Sequence, residues 1–258
     1  MGMNFHHQQN RITYSSRTAD PSWKSAMQQL VSINNVSRAA DIGCGGGIYS
    51  KALLDMGIPS ATAIDFSETI LEGAEENCRE YDNISFHHGD AYSTGLSSNQ
   101  FELVLERALI HHLSDLSSCF QEAHRLLKDG GTFIIQDRTP EDCLLPGDES
   151  HIRGYIFDLF PRLSTIEMNR RHESKEVLEK LLVNGFTSIQ EVQLWETRKT
   201  YTNKKQLLQD LRKRTGRSIL HELSDQELEV LLNHVGQAIS TDGDIIEKDR
   251  WTIWTAVK

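Results

Sequence analysis

The stretch Ala39-Ala40-Asp41-Ile42-Gly43-Cys44-Gly45-Gly46-Gly47 constrains the fold more than any other part of the chain. It joins a short β-rich run to a helical periodicity, so a strand must turn sharply into a helix within a few residues. Glycine suits such a turn because the backbone needs positive φ and because a side chain would hold a ligand away from it. In an open parallel sheet ligands bind at the carboxyl ends of strands, where amides at a helix start face an anionic group. A nicotinamide-dinucleotide fingerprint, G-x-G-x-x-G, would put its third glycine at position 48, which is Ile48. The spacing is instead D-x-G-x-G-x-G, carried by Asp41, Gly43, Gly45 and Gly47.

Around this loop the periodicity alternates between 2 and 3.6. Strands are predicted over 38–42, 60–65, 83–87, 101–106 and 132–136. A helix over 47–56 carries Ile48, Ala52 and Leu53. Ser67 is placed to cap a second helix that buries Ile70, Leu71, Ala74 and Cys78. A third starts at Ser114, aligns Leu116, Phe120, Ala123 and Leu127, and stops at Gly130-Gly131. The later part is less regular. Ser174 opens a helix with Val177, Leu178, Leu181 and Leu182, closed by Gly185, and a strand follows over 187–195. Two helical segments come next, the second opened by a Ser224/Glu227 capping box ahead of Leu228, Leu231, Leu232 and Val235. A last strand covers 251–257. Alternating strands and helices predict an α/β fold, a Rossmann-like and mostly parallel sheet covered on both faces. With no repeat and no linker in 258 residues, the chain reads as one domain, 1–258, with a ligand-binding core at about 35–140 and inserted cap elements at about 1–34, 150–172 and 202–239.

Two further carboxylates fall on the same sheet edge. Asp65 ends the second strand, about 20 residues past the loop, where an acid can grip ribose hydroxyls. Gly89-Asp90-Ala91 follows the third strand, and a carboxylate there can accept from an exocyclic amine. Together with Leu126-Leu127-Lys128-Asp129-Gly130-Gly131, these segments resemble the successive motifs of class I S-adenosylmethionine-dependent methyltransferases. The likeness is greatest to small-molecule enzymes of the ubiquinone-biosynthesis and trans-aconitate type, and it covers roughly residues 35 to 140. The resemblance implies S-adenosyl-L-methionine as cofactor. Gly43, Gly45 and Gly47 would pass beside its methionine part and Asp41 would help hold its amino group. Asp65 would take the ribose hydroxyls, Asp90 and the Ala91 amide the adenine, and Phe66 would lie against the ring. Arg107, at the end of the fourth strand, is counted with these cofactor residues. The resemblance also implies a seven-stranded sheet with an antiparallel last strand, which suits the terminal run.

A sulfonium is already an activated methyl donor, so alignment is the main task and a base is needed only where the acceptor must lose a proton. Candidates lie in Glu106-Arg107-Ala108-Leu109-Ile110-His111-His112, after the fourth strand. His111 or His112 could accept a proton, and packing is the plain alternative for both. Arg138 could fork onto a substrate carboxylate, or pair with Asp137, Glu141 or Asp142. Tyr14 and Arg17 could close over the cofactor. The adjacent histidine pairs lack metal-ligand spacing, so no metal is expected.

A formal net charge of −10 argues against a polyanionic partner, and nucleic acid is not expected. The charge is uneven: the basic run 198–217 contains only Asp210 as an acid. It reads as a solvated helix face opposite Leu207, Leu208 and Leu211, or as an anion-binding cap. Four scattered cysteines without a C-x-x-C pair, no run long enough for a membrane span, and no signal-peptide pattern predict a cytoplasmic protein with reduced thiols. The expected partner is a small-molecule acceptor, and a homodimer is allowed. The alternatives are an RNA methyltransferase using 198–217 and a non-catalytic S-adenosylmethionine-binding protein.

Overall fold

The computed structural model describes residues 18–214, 216–241 and 243–258. Tyr14 and Arg17 lie outside them. The chain forms two compact units. The first comprises Met1–Asp137, Ser174–Leu194 and Thr252–Lys258, and the second Arg138–Glu173 and Trp195–Trp251. The expected cap segments 150–172 and 202–239 both belong to the second unit.

The sheet has seven strands in the order β3-β2-β1-β4-β5-β7-β6. These are β1 (Arg38–Ile42), β2 (Ser60–Asp65), β3 (Ile84–His88), β4 (Phe101–Arg107), β5 (Leu127–Asp137), β6 (Thr187–Tyr201) and β7 (Ile245–Val257). β1 to β5 pair in parallel, and β7 runs antiparallel to β5 through Thr132–Asp137 against Thr252–Val257. The expected Rossmann-like sheet with an antiparallel last strand is therefore present. Strand order reverses between β1 and β4, and Ile42 stands level with Ile64 of β2 and Glu106 of β4. That reversal opens the crevice in which an α/β sheet places its ligand.

Alternation along the strands explains why both faces are covered. Ala40, Ile42, Val104, Phe133 and Ile135 pack into one core with Phe120, Leu181, Phe186 and Trp254. Their neighbours Ala39, Leu103, Leu105 and Ile134 turn to the other face and meet Trp23, Met27, Leu53 and Ile253. The helices on these faces are α1 (Pro21–Leu30), α2 (Ile48–Asp55), α3 (Glu68–Asn77), α4 (Leu116–Leu126) and, after three in the second unit, α8 (Ser174–Val183).

Several local expectations need correction. Ser67 occupies the N-cap of α3 but makes no capping bond with its side chain, and Asp65 instead takes the Ser67 amide at 3.1 Å. α4 is capped by Asp115, which accepts from the amides of Ser117 and Ser118, and not by Ser114. It ends at Leu126, well short of the glycines, because Leu127 is already extended and pairs with Phe101. β4 then advances two residues, Phe101 to Leu103, while β5 advances five, Leu127 to Thr132. Gly130, at φ +77°, lets the surplus loop out and bond Lys258. On α8 Val177 and Leu181 are buried, but Leu182 is 63 % exposed, since the buried stripe follows an i, i+4 spacing. β6 and β7 extend well beyond the expected 187–195 and 251–257.

The second unit has its own apolar core, including Ile156, Leu163, Tyr201, Leu207, Leu211, Leu220, Leu231 and Val235. Its helices are α5 (Pro140–Cys143), α6 (Gly154–Leu159), α7 (Arg162–Met168), α9 (Lys204–Arg212) and α10 (Asp225–Ala238), the last with both bonds of the Ser224/Glu227 capping box. The basic run is divided: along α9 and its C-cap Lys205, Arg212 and Lys213 are exposed opposite buried Leu207 and Leu211, whereas its two ends are held inside the unit. Arg198 lies on β6, 2.9 Å from Glu247, and Arg217 is buried against Glu247 and Asp210 at 2.5 and 3.1 Å. Lys199 meets Asp210, Arg212 meets Glu229 and Arg214 meets Asp225, at 2.7, 3.0 and 2.8 Å. The acids that compensate the run come mostly from outside it, where a linear count misses them. Among the described residues no helix is long and apolar enough to cross a membrane, and Cys44, Cys78, Cys119 and Cys143 are free and buried.

Candidate active site

The site is built at the carboxyl edge of the first unit's sheet. After β1 the chain turns through Gly43, Gly45 and Gly47, at φ +72°, +54° and +72°. The amides of Gly43 and Cys44 both donate to the Ile64 carbonyl, at 2.8 and 2.9 Å, so the loop is pinned against the end of β2. The glycines do different work. A Cβ on Gly47 would lie 2.5 Å from the Cys78 sulfur, so this glycine lets α2 seat against α3. A Cβ on Gly43 would strike Leu109 at 2.8 Å, whereas one on Gly45 would meet nothing within 4 Å. Gly45 is thus required by its left-handed backbone, and its open face is available to a ligand.

Three carboxylates surround this turn in different states. Asp41 is 2 % exposed and accepts from the Ser50 hydroxyl of α2 at 2.6 Å. Burial raises it to about 6, with the Ser50 bond opposing. Asp65 accepts the Gly45 amide on one oxygen and the Ser67 amide on the other, both at 3.1 Å. Burial raises its pKa too, against those amides. The Phe66 amide bonds the same carboxylate, and a two-oxygen acceptor of this kind suits a vicinal diol. Asp90 is exposed at the end of β3 and accepts the Tyr92 and Ser93 amides at 2.7 and 2.9 Å. Ala91 is buried in the core beneath it, and Phe66 is exposed, with its carbonyl accepting from His88 Nε2 at 2.9 Å.

The loop after β4 is shaped by the last two residues of β5. Gln136 accepts the Arg107 Nε at 3.0 Å through its side chain and the Ala108 amide at 2.8 Å through its carbonyl. Ala108 takes φ +52°, and the Arg107 guanidinium lies 4.1 Å from the centre of the Tyr49 ring. The buried carboxylate of Asp137 accepts the His111 amide at 3.2 Å and faces its Nδ1 at 2.8 Å. The His112 ring packs against His111 with centroids 3.9 Å apart. Asp137 as partner of His111 and Tyr49 as the shelf for Arg107 were not anticipated from sequence. The pair Gln136-Asp137 closing a strand at the ligand edge was the available signal.

Arg138 takes a partner far along the chain. In the second unit it lies 3.3 Å from Asp249 and against the Trp251 ring, while Arg250 takes Glu141 and Asp142. Burial would raise Asp249, but Arg138, Arg153 and Arg198 bring it down to about 2. Among the described residues no group of His, Cys, Asp or Glu is arranged to hold a metal.

Residues 40–135 match the family described as a methyltransferase domain, and they contain the glycine turn, Asp65 and Asp90. That segment is a methyltransferase domain by this match. A demethylmenaquinone methyltransferase of Staphylococcus epidermidis is 29 % identical over 114 residues, covering 43 % of this chain and 47 % of that protein. The chain thus spans about half the length of the curated relatives it matches. Among solved structures, phosphoethanolamine N-methyltransferase 2 of Haemonchus contortus, in complex with S-adenosyl-L-methionine, is similar with a TM-score of 0.62 at 18 % identity, over 99 % of this chain and 58 % of that one. The [4+2]-cyclase SpnF is similar with a TM-score of 0.54 at 16 % identity, over 92 % and 80 %. At these identities the structures show a shared fold.

Proposed function

We propose that this protein transfers a methyl group from S-adenosyl-L-methionine to a small-molecule acceptor. The observation that carries the reading is Asp65 held against the open face of Gly45. A two-oxygen acceptor stands beside exposed backbone at the point where strand order reverses. On this reading Asp65 takes the ribose hydroxyls, Gly45 admits the methionine part beside the Gly43 turn, and Asp41 faces its ammonium. Asp90, Ala91 and Phe66 receive the adenine, and Arg107 completes the set. When bound, the sulfonium supplies the activated methyl, and the protein's residues position it and exclude water.

The non-catalytic alternative stays in view because the fold also serves a cyclase, and fold does not imply activity. The RNA reading loses its main support, since Arg198, Lys199, Arg212, Arg214 and Arg217 are engaged by carboxylates.

Calorimetry is expected to show binding of S-adenosylhomocysteine and none of NAD. Asp65→Ala should weaken that binding by about 1.5–3 kcal/mol, the scale of hydrogen bonds to a charged group. Tight NAD binding, or an unchanged dissociation constant in the variant, rejects the assignment. Asp41 adds a pH dependence. Its carboxyl titrates at about 6 in the free protein, and an ammonium beside it favours the ionised form. Affinity should therefore rise with pH through that value and level off above it, roughly tenfold from pH 5 to 7.5. Asp41→Asn should flatten the curve; a variant that keeps the full rise would remove Asp41 from the cofactor site.

A further inference from the structure

We propose that His111 is the general base of the transfer, positioned by Asp137, and that the acceptor therefore reacts through a weakly acidic hydroxyl, a phenol or enol. This rests on the methyltransferase reading above and deepens it. Asp137 holds one residue in two ways. The amide bond at 3.2 Å fixes the backbone of His111, and Nδ1, at 2.8 and 3.0 Å from the two carboxylate oxygens, fixes the ring. A carboxylate accepts and does not donate, so Nδ1 carries the hydrogen, and in the neutral ring Nε2 keeps its lone pair. Among the described residues Nε2 has no hydrogen-bond partner, and the side chain is 18 % exposed. A ring kept for packing needs neither feature: half-buried His124 simply stands edge-on to the Phe186 ring. His111 follows β4, Asp137 ends β5, and Asp65 ends β2, so in these parallel strands all three share the carboxyl edge of the first unit's sheet.

This arrangement gains nothing for an acceptor with a free lone pair and no proton to lose, such as a tertiary amine or a thioether. For a hydroxyl, the O–H proton passes to Nε2 as the oxygen–methyl bond forms and the sulfur–methyl bond breaks, its electron pair remaining on sulfur. The imidazolium so formed is stabilised by Asp137.

The test uses the full-length protein in two measurements. Nitrogen-15 NMR with labelled histidine at about pH 7.5 should show His111 as the Nδ1–H tautomer, and Asp137→Asn should shift or mix it. An Nε2–H tautomer in the wild type overturns the proposal without any acceptor being known. The second is single-turnover transfer of labelled methyl to a panel of phenols, enols, tertiary amines and thioethers. Transfer to the hydroxyl members is expected, with His111→Gln slowing it about 10²- to 10⁴-fold while S-adenosylmethionine affinity by calorimetry is unchanged. An unaltered rate in His111→Gln overturns the base. No transfer to any hydroxyl member, with the cofactor bound, overturns the acceptor class. Failure of S-adenosylmethionine to bind at all instead sinks the methyltransferase reading itself.

Discussion

Glu106→Gln is expected to make the protein more stable at neutral pH, on the order of 3 kcal/mol. Glu106 lies on β4 and is fully buried. The thiol of Cys119 donates to one of its oxygens at 3.1 Å, and the other has no hydrogen-bond partner among the described residues. Burial raises its carboxyl to about 8, against the small opposing effect of the Cys119 bond, so the group is protonated in the folded protein at neutral pH. In the unfolded chain it ionises near 4.5. A carboxyl with a raised folded-state pKa contributes stability that is fully present below the unfolded value and is lost as pH rises to the folded one. At about 1.4 kcal/mol per unit, the loss between pH 4.5 and 8 is on the order of 5 kcal/mol, of which about 3 has been incurred by pH 7. Glutamine cannot ionise, so its advantage over glutamate should grow steadily with pH. Urea unfolding of both proteins from pH 5 to 8 reads this directly. Asp41 and Asp65 have raised pKa values as well, but both are common to the two proteins and cancel in the difference. A stability difference that does not change with pH would falsify the assignment of a protonated Glu106.

In the second unit, Arg217→Met is expected to cost about 3–5 kcal/mol. Arg217 and Glu247 have side chains 1 % and 0 % exposed, and Arg217 Nη2 reaches both Glu247 oxygens at 2.5 Å. The Tyr201 hydroxyl lies 2.9 Å from Glu247 and from Asp210. Burial of Arg217 works against its charge, but Glu247 outweighs it and moves the guanidinium pKa up. Removing the arginine leaves fully buried Glu247 with Arg198 and the Tyr201 hydroxyl, and Asp210 with Lys199, the Tyr201 hydroxyl and more distant cations. Glu247→Leu should be destabilising for the converse reason. Much of the loss should return in the double variant, because a buried pair replaced by apolar groups of similar volume is often tolerated. Chemical denaturation of all four proteins gives the coupling energy. Additive single effects would show that the two residues are not a unit.

The same network shows what a linear reading misses. Within 198–217 a single acid stands against eight bases, and the segment reads as a cationic surface. Asp225, Glu229 and Glu247 reach it only because α10 and β7 pack beside α9 and β6. Arg138 is a similar case: the acids near it in sequence suggested a local partner, while the fold supplies Asp249, more than a hundred residues on. Glu106 looked like the polar end of a strand, and only the seating of α4 over β4 makes it a buried acid.

What the sequence by itself determined is the part encoded at short range. The glycine turn is legible because a left-handed backbone at Gly43, Gly45 and Gly47 is a property of those residues. The sheet and its two covered faces follow from alternation along β1, β4 and β5, and α10 from a capping box three residues wide. Asp65 was placed on the ligand edge because strand ends in a parallel sheet share that edge. What only the tertiary structure decided are the pairings whose members lie far apart in the chain. His111 could be named as a candidate base from its loop, but its tautomer depends on Asp137, 26 residues later, brought level by the register of β4 with β5. The end of α4 was missed for the same reason. Leu127 leaves the helix because β4 offers it a hydrogen-bonded partner in Phe101, and no spacing of apolar residues records that competition.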